Sequence, residues 1–170
     1  MDYIAKAVDM IVDRYQTRDP FQLCRELHVQ LLYMDLYPDL KAFYACKGRQ
    51  YRIVINSRIP EYLHRILAAH ELAHHLEHRS IAGATSYHEF ELYNSQVSVE
   101  YEANLFAAEL LLTDEQVMEM LHEDTSFFRV ARELEVPPEL LDFKFRLMLH
   151  RGYRIIPQYL AQSDFLKKPL

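Results

Sequence analysis

All of the β-favouring sequence in this chain is confined to one short stretch, between residues 28 and 55. Residues 28–34 (HVQLLYM), 41–46 (KAFYAC) and 51–55 (YRIVI) are rich in the β-branched and aromatic side chains that fit a pleated, half-buried surface. Lys47-Gly48-Arg49-Gln50 separates the last two, with the length and the glycine that suit a hairpin. A small, mostly antiparallel sheet of about three strands is therefore the most that the chain can build. Everything else must pack around it.

On both sides of that stretch the apolar residues recur at helical spacing. Residues 2–15 place Ile4, Val8, Ile11, Val12 and Tyr15 on one stripe, with Asp2 and Arg14 at the ends where each suits the helix dipole. Asp19-Pro20 opens a short helix running to Leu27. Asn56-Ser57 are cap candidates, and Pro60 a first-turn residue, for a helix reaching about His78. Its residues Leu63, Ile66, Leu67, Leu72, Ala73 and Leu76 are available for burial. Residues 79–95 lack a period and read as a loop. Residues 97–112 form a second long helix with a small-residue stripe, Ala103, Ala107 and Ala108, that lets a neighbour approach closely. Thr113-Asp114 starts another helix, to about residue 122. Residues 125–133 and 137–149 are two more, split by Glu135-Val136-Pro137-Pro138 in the outline of a helix-turn-helix. Beyond Tyr153 no pattern is visible. Helix, small sheet, then helices is an α+β arrangement. The expected organisation is a domain over 1–122, with a helical segment over 123–170 packed on it or merged with it into one domain.

Composition narrows the class. The chain has 170 residues, 50% of them hydrophobic and 26% charged, enough to bury a continuous core. The net charge of −6 argues against a large nucleic-acid-binding surface. Two cysteines, Cys24 and Cys46, cannot make a disulfide framework and are expected to be reduced thiols. Asp2, Asp9 and Asp13 interrupt the apolar residues of the N-terminal stretch, which therefore does not read as a signal peptide. No window of about 18 apolar residues exists to span a membrane. A cytoplasmic protein is the expectation.

The chemistry centres on His70-Glu71-Leu72-Ala73-His74. Histidines four apart on a helix lie on one face, one turn apart, and can reach a single metal ion. Glu71 is rotated about 100° from His70. It can reach a water beside that ion without being a ligand, as a general base must. Chance would place such a motif about 0.04 times in a chain of this composition. His75 is expected to pack or to support a metal ligand without binding the ion, and His64 and His78 to lie at the surface. A catalytic zinc normally keeps three protein ligands. Candidates for the third are Glu100, Glu102 and Glu109 on the second long helix; Glu100 shares the face of Ala103 and Ala107, while Glu102 points elsewhere. Zinc is the expected ion, and a His₂Glu set also admits manganese or iron. Tyr87, His88 and Tyr101 are available as a second oxyanion donor. An extended substrate is expected to add to the sheet edge near residues 51–55.

Three stretches together resemble the ImmA/IrrE family of metallopeptidases: Ile53-Val54-Ile55-Asn56, His70-Glu71-Leu72-Ala73-His74-His75, and residues 100–112 (EYEANLFAAELLL), which match an E-x-x-A-N-x-F-A-A-x-L-L pattern. Residues 129–147 also look like the family's helix-turn-helix-like segment, so the likeness covers about 29–150. Thr113 stands where many members have proline, and Ala73 where glycine is usual. The resemblance implies a zincin-like minimal metalloprotease in which Glu100 is the third ligand, beside His70 and His74, and Glu71 the catalytic base. It implies a cytoplasmic anti-repressor that cleaves a helix-turn-helix repressor and derepresses a phage or mobile-element regulon. A non-catalytic module that sequesters such a repressor is the alternative. Direct DNA binding through 125–149 is not expected, because Arg129, Arg132, Lys144 and Arg146 are offset by Glu133, Glu135, Glu139 and Asp142.

Overall fold

A computed structural model of the chain describes residues 1–77, 93–121, 125–156 and 160–167. Helix α1 (Asp2–Tyr15) lays Ile4, Val8 and Ile11 into the core and ends at Gln16 in the left-handed conformation. Helix α2 (Pro20–Glu26) starts where Asp19 accepts a hydrogen bond from the Phe21 N–H at 3.1 Å, with Pro20 in the first turn.

Strands β1 (Val29–Met34), β2 (Ala42–Lys47) and β3 (Gln50–Asn56) follow. The β2–β3 hairpin closes through a two-residue turn, in which Gly48 takes a φ of 63° that a side chain would strain. The α+β class holds, but the sheet is mixed rather than mostly antiparallel. Its order is β1-β3-β2, with β1 parallel to β3 from Val29↔Tyr51 to Met34↔Asn56. β3 is the central strand, and its consecutive residues Ile53, Val54 and Ile55 are all buried, so both of its faces are covered as well. The pairing gives it β1 on one edge and β2 on the other. Both edges of residues 51–55 are therefore occupied, and the expectation of substrate adding there fails. Asn56 is also reassigned. Instead of capping a helix, its side chain donates to Leu40 O at 2.9 Å and accepts from the Arg58 N–H at 3.1 Å, pinning the β1–β2 connection against the end of β3.

Helix α3 (Glu61–Glu77) runs through the centre of the molecule. Every residue from Leu67 to Ala73 is buried. The small side chains of Ala68, Ala69 and Ala73 let it lie between α2, β2 and β3 on one side and helix α4 (Tyr93–Leu111) on the other. Helix α4 in turn touches α1 and buries Ala103, Phe106, Ala107 and Ala108. Arg18 donates to the Glu109 carbonyl at 2.9 Å, satisfying a C-terminal group of α4 that has no partner within the helix. Thr113 then opens α5 (Asp114–Met120) with a full capping box, its hydroxyl on the Gln116 N–H and the Gln116 side chain on the Thr113 N–H.

Helices α6 (Phe127–Glu133) and α7 (Pro138–His150) form the expected pair. Helix α7 packs on α4 and buries Leu140 to Phe145 without interruption. The segment past residue 159, which has no pattern in sequence, is fastened down. The Ala161 N–H donates to Asp142 Oδ2 at 3.0 Å, Arg146 donates to Ala161 O at 2.7 Å, and Phe165 stacks on Phe143. Among the described residues, no helix is long and apolar enough to cross a membrane.

Candidate metal centre

The centre is assembled where α3 and α4 face each other. His70 and His74 project from α3 one turn apart, and their Nε2 atoms are 3.2 Å apart. Glu100, on α4, brings Oε2 to 3.3 Å from His70 Nε2 and Oε1 to 3.8 Å from His74 Nε2. Four ligands around a zinc ion at about 2.0–2.1 Å define a tetrahedron with edges of about 3.3 Å. Two of the three separations match such an edge, so the donors fit one small ion in number, chemistry and spacing. Among the described residues this is the group of three metal-ligating side chains whose ligand atoms all lie within 4.8 Å of one another.

The surroundings are graded. His70 is 4% exposed, while the side chains of His74 and Glu100 are 15% and 18% exposed, so the cluster is open on the side away from His70. Burial works against a charge on His70, yet the Glu100 carboxylate, with Glu71 and Asn104, holds its pKa above the ordinary value. The same field that keeps a proton on this imidazole would hold a cation between the three ligands. Glu71 is itself 7% exposed.

The other candidates go elsewhere. Glu102 accepts a hydrogen bond from the Tyr3 hydroxyl, whose pKa is raised by burial and then by this carboxylate. Glu109 is locked in a buried ion cluster, with Lys144 Nζ at 2.8 Å and Arg151 on its other oxygen. His75 packs as expected, 1% exposed, with Nδ1 3.0 Å from the Tyr44 hydroxyl and its ring edge-on to Tyr51. His64 is half-buried rather than a plain surface residue, with Nε2 2.8 Å from Ile59 O. Tyr101 stacks edge-on against Phe143 and under Arg146, facing α7. Tyr87, His88 and His78 lie outside the described residues. Both cysteines are free thiols, and burial pushes the Cys24 thiol up to about 12.

A sequence profile described as Peptidase M78, IrrE N-terminal-like domain, matches residues 24–146, from α2 into α7. The chain belongs to the ImmA/IrrE family. Its relatives agree. Uncharacterized immunity region protein 2 of Bacillus phage phi105 is 30% identical over 141 residues, covering 83% of this chain and 88% of that protein. Metallopeptidase ImmA of Bacillus subtilis (strain 168) is 28% identical over 148 residues, covering 83% of each. The ImmA/IrrE match includes both helices that bring the three metal-ligating side chains together.

One residue at the site escaped the sequence reading. Asn104 is fully buried beside His70. Its spacing, one helical turn after Glu100, was the available signal.

Proposed function

We propose that the chain is a zinc-dependent endopeptidase in which His70, His74 and Glu100 hold the ion and Glu71 is the general base. The observation that carries this reading is the convergence of three ligand atoms from two helices at tetrahedral spacing. A structural zinc site closes with a fourth protein ligand, whereas a catalytic one keeps a position open. When bound, the ion supplies Lewis acidity that activates water and polarises a scissile carbonyl. The chain's own part is proton handling. The Glu71 carboxylate accepts a proton from the attacking water and delivers it to the leaving amine nitrogen.

The substrate in this reading is a helix-turn-helix repressor in the cytoplasm, cut to derepress a phage or mobile-element regulon. The family's character and a relative named for a phage immunity region support it. The burial of α7 supports a protein substrate over DNA, since a recognition helix must offer an exposed face to base edges. The test is co-expression with a candidate helix-turn-helix repressor, chosen from the genes adjacent to this one, followed by mass spectrometry of fragments. Glu71→Gln should cut cleavage by about 10²–10⁴-fold while zinc is retained. Undiminished cleavage would defeat the assignment, and wild-type protein that only co-purifies with intact repressor would make it a sequestering module.

A further inference from the structure

Among the described residues, two buried side-chain polar atoms have no full hydrogen-bond partner: His70 Nδ1 and Asn104 Oδ1. One is a ring nitrogen able to donate and the other a carbonyl oxygen able to accept. Asn104 is among the neighbours that favour a proton on the His70 imidazole, so the two unpartnered atoms belong to neighbouring side chains. The layout along α4 is direct. Glu100 faces His70 Nε2 at 3.3 Å, and Asn104 stands one turn further along the same helix.

The other end of the Asn104 amide is already committed. Its Nδ2 donates to Ser163 O at 2.6 Å. A backbone carbonyl can only accept, so this bond fixes which end of the amide is nitrogen and turns the oxygen to the remaining side. Ser163 is itself held in place. Two residues before it, Ala161 is tied to Asp142 and Arg146, and two residues after it, Phe165 is stacked on Phe143.

We propose that Asn104 is a positioning residue for the metal centre, oriented by the chain segment around Ser163. Its amide oxygen accepts from His70 Nδ1–H and so leaves the Nε2 lone pair facing His74 and Glu100. A ligating histidine needs its second ring nitrogen fixed in this way, and loss of such a partner costs about 10–100-fold in metal affinity. The C-terminal segment is thereby part of the site's construction, through one amide. The inference rests on His70 being a metal ligand.

Two measurements test it, and neither requires peptidase activity. The first is zinc affinity by competition with a chromophoric chelator. Asn104→Leu should weaken it by about 10–100-fold. Wild-type affinity in Asn104→Leu would overturn the proposal. The second is the ¹H–¹⁵N signal of His70 Nδ1–H in the zinc-loaded protein. It should exchange slowly with solvent in the wild type and faster, with a shifted resonance, in Asn104→Leu. An Nδ1–H signal unchanged by Asn104→Leu would overturn the proposal while leaving the metal assignment intact. Should the wild type bind no zinc, the metal assignment fails and the role of Asn104 falls with it.

Discussion

Glu100 and Glu109 lie on one helix, nine residues apart, and meet opposite fates. At about 100° per residue they stand half a turn apart around α4, on opposite faces. Glu100 faces α3 and meets two imidazoles, groups whose charge depends on protonation and which share their lone pairs with a metal. Glu109 faces α7 and meets Lys144 and Arg151, cations that also hold Asp114 at 2.6 and 2.7 Å. Glu109 is the more deeply buried, its side chain 6% exposed against 18% for Glu100, but the larger difference is the partner. Fixed cations complete Glu109 and leave it nothing to offer a ligand, whereas imidazoles leave Glu100 able to coordinate. A carboxylate's availability is thus set by the opposing helix.

The largest effect should come from breaking the completed cluster. Lys144→Met removes a cation that is 1% exposed and leaves two shielded carboxylates sharing Arg151. A broken buried pair costs about 3–5 kcal/mol, and the lower end is expected here because Arg151 remains. Urea unfolding should show this loss while zinc affinity stays at the wild-type value. A parallel fall in affinity would show that the two faces of α4 are coupled. The converse substitution is Glu100→Gln. Removing a ligand should weaken zinc binding by more than the roughly 100-fold upper range of an outer partner, with little loss of stability in metal-free protein. Unchanged affinity would remove Glu100 from the ligand set.

The subtlest distinction is in pH, where the clusters respond on different sides. Burial opposes charge on His70, but Glu100 and its neighbours raise the pKa above the unfolded value of about 6.5. In metal-free protein that stabilisation is fully present below the unfolded value and is lost as pH rises through the folded one. Metal binding needs Nε2 unprotonated, so zinc affinity runs the other way and falls as pH drops through the raised value. For Asp114, burial opposes ionisation, but Lys144 and Arg151 pull the pKa below its ordinary value of about 3.9. Its contribution is present above that value and is lost as pH falls through the lower folded one. Urea melts of metal-free protein across pH, alongside zinc titrations between about pH 6 and 8, check both signs. Zinc affinity indifferent to pH would contradict the contribution of His70.

Much of this arrangement is legible in the sequence because it is local. The 3.6-residue period marks α1, α3 and α4, Gly48 marks the hairpin, and Asp19 and Thr113 mark helix starts through caps that span only two or three residues. The His70, His74 and Glu100 cluster is legible because two members sit at i, i+4 and the third shares a face with small residues. What is not legible depends on partners far along the chain. The parallel pairing of β1 leaves no sign in β1 itself, half of which is exposed. Asn56 looks like a cap until Leu40 is brought beside it. Asn104 looks like an ordinary helix residue until Ser163, 59 residues on, reaches it.

The sheet order also bears on how the chain assembles. β3 meets β2 across a two-residue turn but meets β1 only across the whole of β2 and its connections. Closing the short loop is the faster and less entropically costly event, so the hairpin can exist before β1 arrives. On that argument the parallel strand docks onto a template whose register is already fixed, with α2, which packs on β1, following it. The last strand to dock would be the first to let go.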